Sequence, residues 1–190
     1  VPSQVNFVGK GANLYRAGYE LHGSVLVVVP NLSAGYLWDR IRVQGGAYGA
    51  FASFDRNSGV FSFLSYRDPN LTGTLEVYDQ TVDYLRSIQL DDAELTKAII
   101  GAIGNLDSYQ LPDAKGYTAM VRHLLGITDE DRQRLRDQVL ATTTDDFRAL
   151  GDALGQAMEQ ENVIVVLGAA GAVQSANPVL GDRLTIRKVL

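Results

Sequence analysis

The sequence of 190 residues contains no cysteine and only two histidines. Without cysteine the chain has neither a disulfide framework nor a thiolate metal site, and this absence fits a reducing compartment. His22 and His123 are far apart, and neither has a second ligand at the i+3 or i+4 spacing that places two ligands on one helix face. We therefore expect no metal or other cofactor site in this chain and ordinary structural roles for both histidines.

The sequence also lacks an excess of positive charge and any long apolar run. Lys and Arg number 17 against 22 Asp and Glu, which gives a formal net charge of −5. Nucleic acids and anionic membranes attract basic surfaces, and a membrane-spanning helix needs about 20 apolar residues. With no signal peptide at its start, the sequence predicts neither a nucleic-acid partner nor a membrane partner. Its composition fits a bacterial cytoplasm and equally an organelle matrix.

Two familiar kinds of catalytic motif are missing as well. No serine lies in a G-x-S-x-G elbow, so no pattern indicates a Ser–His–acid hydrolase, although sequence order alone leaves a triad open. The glycines at 9, 11, 45, 46 and 49 do not follow the strand–glycines–helix order of phosphate-binding loops. A nucleotide site is therefore not expected.

The elements that are indicated form an α+β pattern in one domain, residues 1–190. Ala47 to Phe54 and Val60 to Tyr66 are predicted strands, joined by a hairpin loop at Asp55 to Gly59. A helix from Ser33 to Val43 would begin at Ser33 as N-cap and end at Gly45-Gly46. Further helices are predicted after these capping or starting residues: Asn70, Asp91, Leu111-Pro112, Thr128 and Thr143.

Strands are also predicted near both ends of the chain. Gln4 to Val8 alternates as a strand would, and Gly9 and Gly11 are expected to break it. Asn162 to Leu167 is a continuous apolar run that predicts a buried strand, and Leu184 to Val189 a last one. His22 to Val29 is ambiguous, because its β-branched residues before Pro30 favour a buried strand by propensity alone.

Arg42 and Tyr48 are the side chains most suggestive of a site. Arg42 falls in the last turn of the predicted helix and Tyr48 opens the next strand, so both are expected at one edge of the sheet. The small residues Gly49, Ala50 and Ala52 would leave room above their strand for an extended peptide. The competing interpretation is that Arg42 offsets the helix dipole and Tyr48 is an ordinary amphipathic strand residue.

Four blocks of sequence follow one another in a distinctive order. They are YLWDRIRVQGGAYG at 36–49, GVFSFLSYRDPN at 59–70, LTKAIIG at 95–101 and YQLPDAKGY at 109–117. These blocks resemble the last domain of presequence-protease-like members of the pitrilysin/insulysin (inverzincin) zinc metallopeptidase family. The resemblance runs in register from about Asn6 to the end of the chain, and four long blocks in order are far more specific than a single short motif.

The resemblance implies a fold and a division of labour. The fold is a two-layer α+β sandwich, with helices on one face of an antiparallel-rich sheet, as in the mitochondrial-processing-peptidase-like metallohydrolase domain. Four such domains form two halves that close around unstructured peptides, and the first domain carries an H-x-x-E-H zinc motif. This sequence contains no H-x-x-E-H. Residues 1–190 are therefore expected to be a C-terminal, non-catalytic fragment that is inactive alone.

The resemblance also implies roles for named residues. Arg42 and Tyr48 match the Arg and Tyr that the last domain directs toward the substrate near the zinc, and Gly49 and Ala50 would contact the peptide. The expected partners are the peptide and the N-terminal catalytic half of the same polypeptide, which would hold the zinc. The segment from His22 to Val29 is now expected to be helical, with a break at Pro30. Two alternatives stay open: a structural or assembly homologue, and a peptide-binding module of the same fold.

Overall fold

Strands and helices are unevenly distributed along residues 5–187, the part of the chain that the computed structural model describes. The strands are β1 (Asn6–Asn13), β2 (Gly49–Phe54), β3 (Val60–Asp68) and β4 (Val163–Leu167). The helices before β2 are α1 (Val25–Leu32) and a π-helix (Ser33–Gln44). After β3 come α2 (Thr72–Ser87), α3 (Asp92–Leu106), α4 (Pro112–Leu124), α5 (Asp129–Leu140), α6 (Thr144–Gln160) and α7 (Ala170–Ala176).

The four strands form one sheet in the order β2-β3-β1-β4, and every neighbouring pair is antiparallel. The five-residue loop at Asp55 to Gly59 makes β2 and β3 a hairpin, as predicted, and Gly59 takes a positive φ of 75° that favours glycine. β2 and β4 are the edge strands. The predicted α+β fold with an antiparallel sheet is confirmed.

One face of the sheet is covered by helices and the other is not. Val8, Phe61 and Phe63 on the covered face are at most 1% exposed, and they share a core with helix residues such as Leu37 and Ile41. Residues that alternate with them point the other way, because successive side chains of a strand point to opposite faces. On that outer face Phe51 of β2, Leu64 of β3 and Val165 of β4 form an exposed apolar row across the sheet. Gly9 of β1 lies in the same row, between Leu64 and Val165.

Glycine and proline break fewer elements than the sequence suggests. β1 continues through Gly9 and Gly11, and a Cβ at Gly11 would lie 2.6 Å from the carbonyl oxygen of Phe61, so this glycine permits a close strand approach. The segment expected to be helical from His22 to Val29 is helical from Val25 onward, whereas His22 to Ser24 precede the helix. Pro30 does not break it, however, since α1 contains Pro30 and leads directly into the π-helix.

Two predicted N-caps are wrong because their side chains bind elsewhere. Ser33 lies within continuous helix, where its Oγ donates to the Val29 carbonyl at 3.0 Å and accepts the Ala52 N–H at 2.9 Å. Asn70 precedes α2 without capping it, and its Nδ2 donates to the Gly45 carbonyl at 2.6 Å. Both residues thus link separate segments of the chain, which a local sequence pattern does not reveal.

The later helices begin where the sequence predicts. Asp91 with Glu94 and Thr128 with Asp131 form capping boxes at the starts of α3 and α5. At α6 the Asp146 carboxylate accepts from the Thr143 N–H at 2.7 Å. No helix within residues 5–187 is both long and apolar enough to cross a membrane.

The C-terminal strands differ from the prediction. β4 is a strand but not a buried one, because it is an edge strand whose Val163, Val165 and Leu167 are 59–65% exposed. The last predicted strand is wrong where it can be checked, since residues 184–187 have no regular structure. Its remaining residues, 188 and 189, lie outside the described range.

Candidate functional site

Arg42 is held in place by a neighbour on its own helix. Trp38 and Arg42 are four residues apart in the π-helix, and the guanidinium carbon of Arg42 lies 4.0 Å from the centroid of the Trp38 ring. This is a cation–π contact, which orients the guanidinium group along the indole face. The Nε of Arg42 donates to the backbone carbonyl of Tyr48 at 3.0 Å. Two contacts therefore fix a side chain that would otherwise sample many rotamers.

The two-glycine corner brings the helix end back to the strand. Gly46 has a φ of +78°, a conformation that other residues rarely adopt. The Ala47 N–H donates to the Ile41 carbonyl at 3.1 Å, and Asn70 holds the Gly45 carbonyl. These bonds bring Tyr48, six positions after Arg42, beside it.

Tyr48 is exposed at the end of this corner and is surrounded by aromatic and basic groups. Its side chain is 60% exposed, and its ring centroid lies 5.3 Å from that of Tyr66. The Tyr66 ring also covers Gly49, where any Cβ would overlap the Tyr66 ring atoms. The guanidinium carbon of Arg67 lies 5.7 Å from the Tyr48 ring centroid. Trp38, Tyr66 and Arg67 thus join the predicted pair in one surface cluster.

These five residues, Trp38, Arg42, Tyr48, Tyr66 and Arg67, are called the edge cluster below. Only Arg42 and Tyr48 were predicted. The aromatic members were missed because their places depend on the sheet register, although their motif blocks, 36–49 and 59–70, had been noted. Among residues 5–187, neither Arg42 nor Arg67 forms an ion pair with a carboxylate.

The predicted space above Ala50 and Ala52 does not exist. Both side chains are at most 9% exposed and face the helices, so their small size permits close packing of α1 and the π-helix on β2. The other feature of β2 is its outer backbone edge, which no further strand covers within residues 5–187. The Ala52 N–H and C=O bind Ser33 Oγ and so point away from β3. Since hydrogen-bonding direction alternates along a strand, the N–H and C=O of Ala50 also point to that outer edge.

The histidines do not form a metal site. His22 Nδ1 lies 2.8 Å from Ser24 Oγ and 3.6 Å from a carboxylate oxygen of Asp146, and His123 lies in the last turn of α4. No group of three His, Cys, Asp or Glu residues within residues 5–187 is arranged to hold a metal ion. Residues 5–187 therefore do not fit a zinc site.

The sequence matches one family over most of its length. A family model described as "PreP C-terminal domain" matches residues 1–170. The chain is 51% identical over 190 residues to "Presequence protease 1, chloroplastic/mitochondrial" of Arabidopsis thaliana, which covers 100% of this chain and 18% of that protein. The chain belongs to the PreP C-terminal domain family. The resemblance seen in the four sequence blocks is confirmed.

Other relatives of this PreP C-terminal domain come from animals and bacteria. It is 36% identical over 146 residues to "Presequence protease, mitochondrial" of Drosophila melanogaster, covering 76% of this chain and 14% of that protein. It is 37% identical over 164 residues to "Protein HypA" of Clostridium perfringens, covering 86% of this chain and 17% of that protein. The chain thus spans less than a fifth of the length of these curated relatives.

Solved structures share the fold of the PreP C-terminal domain. A peptidase M16 inactive domain from Pseudomonas fluorescens superposes with a TM-score of 0.68 at 19% identity, covering 90% of this chain and 42% of that chain. Pitrilysin superposes with a TM-score of 0.60 at 14% identity, covering 86% of this chain and 18% of that chain. At these identities the likeness extends to the fold alone.

Proposed function

We propose that this domain is the non-catalytic C-terminal wall of a peptide-binding chamber in a zinc metalloendopeptidase that degrades unstructured peptides. The most similar curated relatives described above include proteins named presequence proteases, and the present chain corresponds to a small part of each. The catalytic N-terminal half of the same polypeptide would hold the zinc. An organelle matrix, or a bacterial cytoplasm, would be its compartment.

Arg42 and Tyr48 supply the hydrogen-bond donors that this proposal needs. During peptide hydrolysis negative charge develops on the oxygen of the attacked carbonyl, and fixed donors stabilise that charge. Zinc bound by the other half would polarise the carbonyl and activate water. The observation that carries the proposal is the hydrogen bond from Arg42 Nε to the Tyr48 carbonyl, because it fixes the guanidinium beside the backbone of a residue whose phenol side chain is exposed.

The edge of β2 provides a place for the substrate backbone. Ala50 directs its N–H and C=O outward, between the Tyr48 carbonyl, bound by Arg42, and Ala52, bound by Ser33. An extended peptide adds to such an edge through main-chain hydrogen bonds, independently of its side chains. Ala50 would therefore bind substrate through its backbone, with Gly49 beside it as a further contact, which suits a protein that accepts many peptides.

The test is peptide cleavage by the full-length protein. We expect chelator-sensitive turnover that falls on the order of 100-fold in Tyr48→Phe and in Arg42→Gln, as on loss of one oxyanion donor. Tyr109→Phe is the matched control, because Tyr109 is 83% exposed outside the edge cluster. Full turnover in both Tyr48→Phe and Arg42→Gln would refute the roles assigned here.

A peptide-binding module without turnover is the second candidate, favoured by the position of β2 at the edge of the sheet. It predicts that the full-length protein binds peptides but does not cleave them with zinc present. In that case Ala50→Pro would still weaken peptide binding, because proline removes the outward N–H of β2.

A further inference from the structure

A bulge in β3 turns two consecutive side chains to the solvent. Asn6 pairs with Asp68 and Val8 with Ser65, so Tyr66 and Arg67 together stand opposite the single residue Phe7. Arg67 has a φ of +49°, in the left-handed region that residues with a Cβ rarely adopt. Tyr66 and Arg67 are both exposed, whereas Ser65 and Asp68 on either side are buried. The bulge therefore breaks the alternation and redirects Arg67 toward the edge cluster.

The residue after the bulge explains why this backbone conformation is maintained. The Asp68 carboxylate is fully buried and accepts hydrogen bonds from Ser65 Oγ and Thr74 Oγ1, each at 2.7 Å, and from the Asn70 N–H at 2.9 Å. Asn6 Nδ2 donates to the Asp68 carbonyl at 3.1 Å. These bonds come from β1, β3 and the start of α2, so several elements hold the bulge in place.

Several other arginines are held by an ion pair with a carboxylate. Arg86, Arg132, Arg134, Arg136 and Arg148 pair at 2.5 to 2.7 Å, and Arg16 pairs at 3.5 Å. Among residues 5–187 Arg67 pairs with no carboxylate, and the ring of Tyr48 is its neighbour. A conformation that is rare for arginine thus presents a guanidinium next to an exposed phenol.

We propose that Arg67 is a specificity-determining residue that binds a carboxylate of the peptide lying beside Tyr48. This inference rests on the proposed function, in which peptides pass over Tyr48. A guanidinium matches a carboxylate through two parallel N–H···O bonds. The ring of Tyr66, whose centroid lies 5.3 Å from that of Tyr48, flanks the same place. The carboxylate is either the C-terminal group of the peptide or an Asp or Glu side chain.

The experiment compares matched peptides with the full-length protein. One peptide carries a free C-terminus, one is C-terminally amidated, and one has its acidic side chains replaced by amides. We expect the wild type to prefer a carboxylate peptide by about 10-fold or more in kcat/KM, the range of a charge-assisted hydrogen bond. If amidation lowers kcat/KM, the carboxylate is the C-terminal group of the peptide. If replacing the acidic side chains lowers it, the carboxylate is an Asp or Glu side chain.

Arg67→Asn is the decisive variant, because asparagine tolerates the left-handed conformation and so preserves the bulge. It is expected to close the gap between the carboxylate and neutral peptides, mainly through KM, whereas Arg67→Lys retains part of the preference. Arg40→Gln is the control, since it also removes one positive charge, but outside the edge cluster, where Arg40 binds Gln80. A preference that survives in Arg67→Asn, or that Arg40→Gln reduces equally, overturns the inference.

The failure of this inference and the failure of the proposed function give different results. If Tyr48→Phe lowers turnover but Arg67→Asn leaves the carboxylate preference intact, only the specificity role fails. If the full-length protein cleaves nothing, the proposed function fails, and fluorescence anisotropy with the same labelled peptides still tests Arg67 by direct binding. Unchanged thermal unfolding of Arg67→Asn would establish that any loss of preference comes from the side chain rather than the fold.

Discussion

The Nε of Arg42 donates a hydrogen bond to the backbone carbonyl of Tyr48 at 3.0 Å, while the rest of its guanidinium lies against the Trp38 ring. The bond spans the two-glycine corner and joins the last turns of the π-helix to the residue that precedes β2. It uses one donor of Arg42 and leaves the remaining N–H groups for a ligand. Arg42 is therefore anchored and still able to bind.

Replacement of Trp38 tests whether this anchoring matters. Trp38→Ala removes the ring that orients Arg42 without changing either predicted donor, and an exposed cation–π contact is worth about 0.5–1 kcal/mol. We expect kcat/KM of the full-length protein to fall by about 2- to 5-fold, with Trp38→Phe in between. Leu21→Ala is a control at an exposed apolar residue outside the edge cluster. Equal kcat/KM for Trp38→Ala and wild type would contradict the positioning role.

Position 49 is predicted to require glycine, because the Tyr66 ring lies across it. A Cβ at this position would overlap the ring, so Gly49→Ala displaces Tyr66 and should destabilise the domain by about 1–3 kcal/mol, as overpacking does. The double variant Gly49→Ala/Tyr66→Ala should recover part of that loss. A double-mutant cycle in urea measures the coupling. Strict additivity of the two substitutions would show that the ring does not set the residue at 49.

The capping boxes and the hairpin show what local sequence predicts well. Both features depend on residues within a few positions of each other, and both were confirmed: the capping box of Asp91 with Glu94, and the hairpin loop from Asp55 to Gly59. Ser33 and Asn70 looked like caps for the same local reason, yet they bind Ala52 and Gly45, 19 and 25 residues away in sequence. A pattern read over four residues does not contain those partners.

The candidate site divides along the same line. Arg42 and Tyr48 are six residues apart, so a helix end, a corner and a strand start were enough to predict that they meet at one edge. Arg67 was missed, because its orientation depends on a bulge relative to β1 and on a buried carboxylate that binds Thr74. The role of small residues in β2 was also misread, since the burial of Ala50 against helices appears only once the layers are assembled.

Asp68 is predicted to be essential for the bulge. Asp68→Ala leaves the buried hydroxyls of Ser65 and Thr74, and the partly buried N–H of Asn70, without their acceptor. Each buried group without a partner costs about 1–3 kcal/mol, so we expect a loss of several kcal/mol in the free energy of unfolding. Asp152→Ala, which removes an exposed carboxylate paired with Arg86, is the control and should cost no more than about 1 kcal/mol. Similar losses for the two variants would argue against the anchoring role.

The stability of the fold should also decline at alkaline pH. Burial raises the pKa of Tyr19 from 10.0 to about 12, and its ring packs edge-on against Phe54 at the turn end of the β2–β3 hairpin. A group whose pKa is raised in the folded state contributes stability that is fully present below the unfolded pKa and is lost as pH rises through the folded pKa. The window is therefore pH 10 to 12. Urea unfolding at pH 9 and pH 11.5 measures the decline.

Tyr19→Phe isolates this contribution, because it keeps the packed ring and removes the ionisable hydroxyl. We expect the variant to lose less stability between pH 9 and pH 11.5 than the wild type. Tyr109→Phe removes a tyrosine that is 83% exposed and should leave the pH dependence as it is in the wild type. Burial also raises the pKa of Tyr78, so some alkaline loss should remain in Tyr19→Phe. Parallel stability curves for Tyr19→Phe and wild type would mean that Tyr19 ionises as readily in the folded chain as in the unfolded one.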